Sequence, residues 1–133
     1  GGAVAAYVWD YAGGMEMLRR FWHAAGALDP AAAALDQGSR YPVCAPAPLE
    51  TLFREAGLRD VDVRGVDIPM AFRDFDDFWS PFLGGQGAAP AYVASLNAGR
   101  REALAERLRA TLPARPDGSI HLAARAWAVR GTV

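Results

Sequence analysis

The sequence predicts an α/β fold, organised as a single domain over residues 1–133, from two observations. Apolar runs of strand length occur at Ala3–Asp10, Val61–Ile68 and Ile120–Val129. Segments whose apolar residues recur at helical spacing lie between these runs, so strands and helices alternate along the chain. With 133 residues, 52% of them hydrophobic and 22% charged, the chain is long enough for one core and does not have a disordered composition.

The first strand and the helix after it are defined by glycines and by apolar spacing. Ala3–Asp10 reads AVAAYVWD between Gly-Gly pairs, and such a continuous apolar run is typical of a strand buried on both faces. The segment Gly14–Ala27 then predicts an amphipathic helix, because its apolar residues share one helical face: Met17, Leu18, Phe21, Trp22, Ala25 and Leu28. Asp29-Pro30 ends this helix.

The middle of the chain predicts a connector, a short helix and a second strand. Ala31–Pro48 is mostly connector, and a helix begins at Pro48 and stops at Gly57. The strand Val61–Ile68 follows, with Gly65 as the expected site of a bulge or bend.

A helical insertion is predicted before the last strand. It covers Phe72–Ala98, begins with the aromatic and acidic stretch FRDFDDFWSPFL, and leads into further helix that ends at Pro113. The PDGS turn at Pro116–Ser119 precedes the last strand, Ile120–Val129, whose simplest partner is an antiparallel neighbour.

Composition and charge exclude several classes of function. The formal net charge is −1 and gives no reason to expect nucleic acid or an anionic membrane as partner. All 14 basic residues are Arg, so chemistry that depends on a Schiff-base or P-loop lysine is excluded. Cys44 is the single cysteine, and His23 and His121 are far apart, so neither a disulfide nor a Cys/His metal site is expected. A cytoplasmic protein is the expectation.

Three segments in this order resemble the C-terminal half of a class I S-adenosylmethionine-dependent methyltransferase of the small-molecule type, which is a Rossmann-like fold. Gly1-Gly2 before a strand that ends in Trp9-Asp10 resembles the entry to the family's fifth strand. LFREAGLRDVDV resembles the step from helix to sixth strand, and SIHLAARAWAVRG resembles the seventh strand.

The resemblance implies a particular arrangement of the three strands. Val61–Ile68 would lie at the outer edge, and Ile120–Val129 would run antiparallel between it and Ala3–Asp10. An isolated fragment of this kind would be an α+β structure with a three-stranded mixed sheet flanked by helices.

The resemblance also implies that the cofactor-binding half is missing from these residues. The intact parent would use S-adenosylmethionine, whereas no cofactor is expected on this chain alone. The single glycine-rich candidate, Gly84-Gly85-Gln86-Gly87, does not follow a strand, so a flexible turn is the favoured interpretation.

Asp10 and Tyr11 are candidate substrate-binding residues, because the carboxyl ends of strands are where open α/β sheets place their ligands. Asp10 is also a candidate catalytic base that would take a proton from a nucleophilic substrate atom. The alternative is that Asp10 caps the helix that follows.

Trp79 and Phe82 are the other two candidate substrate-binding residues. In related enzymes the corresponding insertion often forms a lid whose aromatic residues exclude water from the substrate. The alternative, which we favour, is that these aromatic side chains pack on the sheet. The neighbouring carboxylates Asp74, Asp76 and Asp77 suit the start of a helix better than a metal site.

Two functions remain open from the sequence. The first is the substrate-side portion of a methyltransferase that acts on a small molecule and is inactive without the cofactor half. The second is a stand-alone α+β module for binding or dimerisation. Because one edge of Ala3–Asp10 would be open in such a fragment, a homodimer formed through that edge is also expected.

Overall fold

The computed structural model describes all residues from Gly1 to Val133 and contains the three predicted strands with helices between them. The stretch Ala31–Pro48, predicted to be mostly connector, also contains short helical segments, and the helix predicted from Pro48 begins at Pro46. The strands are β1 (Ala3–Trp9), β2 (Arg59–Phe72) and β3 (Ile120–Thr132). The α-helices are α1 (Glu16–Leu28), α2 (Gln37–Arg40), α3 (Pro46–Glu55), α4 (Phe75–Trp79), α5 (Ala88–Ser95) and α6 (Ala98–Thr111). Short 3₁₀ segments occupy Pro30–Leu35 and Ser80–Leu83.

The three strands form one sheet in the order β1-β3-β2, and β3 is antiparallel to both of its neighbours. β1 and β2 therefore run in the same direction on either side of β3. This confirms the expected α+β architecture, in which the last strand lies antiparallel between the other two and helices flank the sheet.

β2 is longer and more regular than the sequence predicts. The irregularity in its pairing lies between Arg59 and Asp62, whereas Gly65 pairs in register with Trp127. The bulge expected at Gly65 is therefore absent. A Cβ atom at Gly65 would lie 3.2 Å from Cζ3 of Trp127, so the glycine makes room for the indole ring.

The main core lies between one face of the sheet and the helices around the insertion. On the sheet it contains Phe72, Ile120 and Leu122. α1 contributes the periodic face predicted from its sequence, with Phe21 and Trp22 at its centre. Full burial of each large apolar side chain contributes about 1.5–3 kcal/mol to folding, so this cluster is the principal source of stability.

A smaller core lies on the opposite face of the sheet. It consists of Leu49 and Phe53 of α3 with Val129 of β3. Because side chains alternate along a strand, Val129 points away from the face that carries Ile120 and Leu122. The helices thus cover both faces of the sheet, but at different positions along the strands.

β1 is the element for which the sequence prediction of burial is wrong. Tyr7 is 79% exposed, Val4 is 44% exposed and Trp9 is 36% exposed. Only Val8 packs against the smaller core, and β3 is the only strand paired with β1. The apolar composition of β1 suits a strand that is covered on both faces. No other element of these 133 residues covers it in this way.

Candidate functional site

A hollow lies at the C-terminal end of β1, where the sequence predicts the substrate site. It has a volume of about 410 Å³ and is lined by side chains from the end of β1 and from two loops: Tyr7, Val8, Trp9, Tyr11, Tyr41 and Cys44. We call it the tyrosine hollow. Tyr41 and Cys44 belong to the connection between α2 and α3, so this connection returns to the end of the first strand.

Aromatic packing and burial set the chemistry of the tyrosine hollow. The rings of Tyr11 and Tyr41 are tilted with their centroids 5.8 Å apart. Burial raises the pKa of the Tyr11 hydroxyl, and Cys44 and Tyr41 add to this effect. Burial likewise raises the pKa of the Cys44 thiol, so this group stays protonated and weakly nucleophilic near neutral pH. The hollow can therefore stack an aromatic or apolar molecule and donate hydrogen bonds to it.

Asp10 lies next to the hollow in sequence but does not line it. It is 8% exposed, and its Oδ2 atom accepts a hydrogen bond of 2.7 Å from the Gly14 backbone N–H. Its backbone oxygen accepts a second one from the N–H of Met15 at 3.0 Å. Asp10 does not cap the helix, because Gly14 precedes α1 and the N-cap residue Met15 has no side-chain cap hydrogen bond. Its carboxylate instead holds the turn between β1 and α1. No carboxylate or imidazole lines the hollow.

Trp79 and Phe82 are buried in the main core and do not line the tyrosine hollow. They are 8% and 3% exposed, respectively. Phe82 stacks on Phe21 with ring centroids 4.6 Å apart, and Trp79 packs at 5.8 Å from Phe82. The packing interpretation accounts for all of these contacts. Of the four candidate substrate-binding residues, the structure places only Tyr11 at this surface.

The open edge of β1 is a second surface with functional potential. At the two ends of the strand, the Asp10 N–H donates to the Arg125 oxygen at 2.8 Å, and the Gly2 oxygen accepts from the Val133 N–H at 2.9 Å. Because backbone groups alternate in direction along an antiparallel strand, the even-numbered residues bond to β3. The N–H and C=O groups of Ala3, Ala5, Tyr7 and Trp9 therefore point to the open side.

The uncovered face beside this edge is partly apolar. A shallow groove of about 540 Å³ crosses it, with Ala128 at its floor and Tyr7 and Arg64 on either side. Arg64 is held by Asp62 through an ion pair of 2.6 Å. Trp9, Val66 and Ile68 are exposed further along the strands, so an apolar surface continues from the groove. The sequence gives little signal of this surface, since exposure depends on which elements cover each strand.

The glycine-rich run and the two histidines occupy ordinary structural positions. The run Gly84–Gly87 joins a 3₁₀ segment to α5 and does not follow a strand. A Cβ atom at Gly85 would lie 2.5 Å from the backbone oxygen of Pro81, so the chain there packs closely on itself. His121 is exposed on β3 with its Nε2 atom 3.2 Å from the Ser119 hydroxyl, and His23 is exposed on α1.

No group of three or more His, Cys, Asp or Glu side chains is arranged to hold a metal ion. No helix has the length and apolar character needed to cross a membrane. No protein-family model matches the chain, and a search of curated proteins found no relative.

Proposed function

We propose that the chain is the substrate-side part of a class I S-adenosylmethionine-dependent methyltransferase that acts on a small molecule. The observation that carries this proposal is the strand order β1-β3-β2, with β3 antiparallel between two strands of the same direction. This is the arrangement that the resemblance predicts for the family's fifth, seventh and sixth strands. A cytoplasmic location is part of the proposal, and the free thiol of Cys44 is compatible with it.

The residues of this chain do not fit the cofactor. A methyltransferase of this class needs a glycine-rich turn after a strand, where backbone N–H groups approach the ligand, and a carboxylate for the ribose hydroxyls. The run Gly84–Gly87 follows a 3₁₀ segment, and Gly85 is packed against the backbone of Pro81. Cofactor binding is therefore assigned to residues outside these 133, and the chain alone is expected to have no methyltransferase activity.

The contribution of this chain would be to bind and desolvate the substrate. The tyrosine hollow lies at the end of β1, where open α/β sheets place their ligands. Its aromatic rings would hold a flat or apolar molecule, and the protonated hydroxyl of Tyr11 would orient it by a hydrogen bond. Positioning and water exclusion of this kind supply much of the rate in group transfer.

Calorimetric titration tests this proposal. S-adenosylmethionine and S-adenosylhomocysteine are titrated into the 133-residue chain and into a version extended by the coding sequence upstream of Gly1. Binding to the extended version alone supports the proposal. Binding to the short chain contradicts the assignment of the cofactor to other residues. If neither version binds, the likeness is limited to the fold and the methyltransferase proposal is wrong.

A second candidate function is dimerisation through the open edge of β1, and the contrast between the two sheet edges favours it. The β1 edge carries neither charge nor proline, which are the usual protections of an exposed strand. The other edge strand, β2, has both, including Arg64, Asp67 and Pro69. An unprotected edge with free backbone groups is a surface on which a second copy can pair.

The spacing of the free backbone groups selects one register for such a pair. A two-fold axis at Ala6 places Ala5 opposite Tyr7 of the second copy and Ala3 opposite its Trp9. Every outward N–H and C=O group of Ala3–Trp9 then has a partner, and each aromatic ring faces a small alanine.

Sedimentation equilibrium tests the dimer. Tyr7→Lys places a charge at the edge and is expected to shift the chain to monomer, whereas Val66→Lys on the exposed face of β2 is the matched control and is expected to leave the dimer intact. A wild-type chain that stays monomeric at high concentration contradicts this second candidate.

A further inference from the structure

A groove between α1 and α6, on a different part of the molecule, has a lining made almost wholly of hydrogen-bond donors. Its volume is about 330 Å³, and its lining contains no Asp or Glu: Arg19, Arg20, His23, Ala24, Arg107 and Thr111. We call it the arginine groove. A surface that offers guanidinium and imidazole groups without a carboxylate is complementary to a ligand that has acceptors and negative charge.

Contacts between the two helices fix the shape of the arginine groove. Nη1 of Arg20 donates a hydrogen bond of 3.2 Å to the backbone oxygen of Thr111, which joins α1 to the end of α6. The Thr111 hydroxyl donates to the backbone oxygen of Arg107 at 2.8 Å. Ala24 is 2% exposed and lets the helices approach each other beneath the groove. The groove is therefore built on two packed helices and not on a loop.

Two of the three arginines form no ion pair. Arg19 is bound by Asp36 through two hydrogen bonds, one of them 2.7 Å long. Neither Arg20 nor Arg107 takes part in any ion pair of the structure. Two guanidinium groups that line one groove repel each other, and an anion bound between them removes this repulsion.

We propose that the arginine groove binds the phosphate group of a small molecule, with Arg20 and Arg107 as the principal donors and His23 as a further donor. A phosphate group accepts several hydrogen bonds at once, and the planar fork of arginine matches its oxygens. The groove has room for one such group with a small substituent. The arginines make the groove positive, whereas the chain as a whole has a formal net charge of −1, so this positive charge is local. This assignment is independent of the methyltransferase proposal, because it uses neither β1 nor the tyrosine hollow.

The proposal is tested by adding inorganic phosphate to the 133-residue chain and following the backbone amide signals by NMR, with sodium chloride at matched ionic strength as reference. We expect saturable shifts that are concentrated on α1 and the end of α6. Arg107→Gln is expected to weaken binding about tenfold, since it removes one charge-assisted donor pair. Arg107 is exposed, and its side chain forms none of the identified contacts, so the variant is expected to fold normally.

A matched variant separates a specific site from general charge. Arg115→Gln removes the same charge from the turn before β3, outside the groove, and phosphate affinity is expected to stay unchanged. Equal weakening in both variants, or shifts that do not saturate, overturns the proposal. Arg20→Gln is a second variant on the opposite wall and must also weaken binding.

A lipid headgroup carries the same chemistry, so sedimentation with vesicles that contain phosphatidic acid distinguishes the source. Binding to these vesicles that depends on Arg107, without saturable binding of free phosphate, shows that the small-molecule assignment is wrong. Saturable phosphate binding without vesicle binding supports it.

Discussion

The carboxylate of Asp10 accepts a hydrogen bond from the backbone N–H of Gly14 at 2.7 Å, across the turn that joins β1 to α1. The end of this turn is therefore held by a side chain that is itself buried. The same contact explains the glycines that surround it. A Cβ atom at Gly14 would lie 2.8 Å from Oδ2 of Asp10 and would also collide with Cβ of Arg125 on β3.

Substitution of Asp10 separates its structural role from a catalytic one. Asp10→Ala leaves the Gly14 N–H without a partner and is expected to lower the free energy of unfolding by about 1–3 kcal/mol. Asp10→Asn keeps an acceptor oxygen and is expected to lose about 1 kcal/mol or less. Urea denaturation of both variants measures the difference. Equal losses in the two variants contradict the role of the Asp10 carboxylate in holding the turn. In an active extended protein, a loss of activity in the stable Asn variant indicates a catalytic role.

Two glycine-to-alanine substitutions close to each other in sequence are predicted to change the free energy of unfolding in opposite directions. Gly14→Ala forces the backbone of β3 or the Asp10 carboxylate to move and is expected to cost about 1–3 kcal/mol. Gly26→Ala lies inside α1, where a Cβ atom meets nothing within 4 Å, and is expected to stabilise the fold by about 0.5–1 kcal/mol. Thermal unfolding of the two variants compares them directly. A neutral Gly14→Ala variant means that the turn adapts, and that its close packing is not a constraint.

The local sequence pattern predicts the helices and strands well, because each of these elements depends mainly on residues that are close together in the sequence. The burial of Phe21 and Trp22 in α1 follows from their helical spacing, and the turn at Pro116–Ser119 precedes β3 as expected. The sheet order was not available from local pattern. It came from the resemblance, because the partner of each strand is chosen by contacts between residues that are far apart in the sequence.

The site was predicted less well for the same physical reason. The stacking of Phe82 on Phe21 joins residues that are 61 positions apart, so the sequence could not tell a core ring from a lid ring. Tyr41 lies in the stretch that the sequence predicts to be mostly connector, and it reaches the end of β1 only through the path of the α2–α3 connection. The position of Tyr11 can be predicted, because the end of a strand is a local property of the sequence.

Asp36 is expected to make stability depend on acid pH. Burial alone would raise its pKa, but hydrogen bonds from Arg19 and from the Gly38 N–H outweigh this effect and hold the pKa below its usual value. The unfolded-state pKa, about 3.9, is thus higher than the folded-state one, so the ionised group stabilises the fold above that pH. This stabilisation is lost as the pH falls through the folded-state pKa.

Comparison with Asp36→Asn isolates that contribution. The wild-type chain is expected to lose more stability than the variant as the pH is lowered from about 5 to about 3, measured by the urea midpoint at each pH. The two chains are expected to differ most above the unfolded-state pKa of Asp. Parallel pH profiles show that the Arg19–Asp36 pair does not contribute through ionisation.

The register proposed for the dimer predicts a specific disulfide. In that register the two copies of Ala6 face each other as a non-hydrogen-bonded pair, with Cα atoms about 4.5 Å apart, which is within the range that a disulfide spans. With Cys44 replaced by Ser, Ala6→Cys is therefore expected to give a covalent dimer on mild oxidation, observed as a doubled mass that reductant reverses. Ala5→Cys in the same background is the control, because the two copies of Ala5 are diagonal neighbours about 7–8 Å apart and should cross-link poorly.

Two other outcomes would contradict this register in a chain that sedimentation shows to be dimeric. If Ala5→Cys cross-links the dimer and Ala6→Cys does not, the interface lies at β1 but the two-fold axis is not at Ala6. A dimer that neither cysteine cross-links points to a different surface, and the proposed pairing through the open edge of β1 is then wrong.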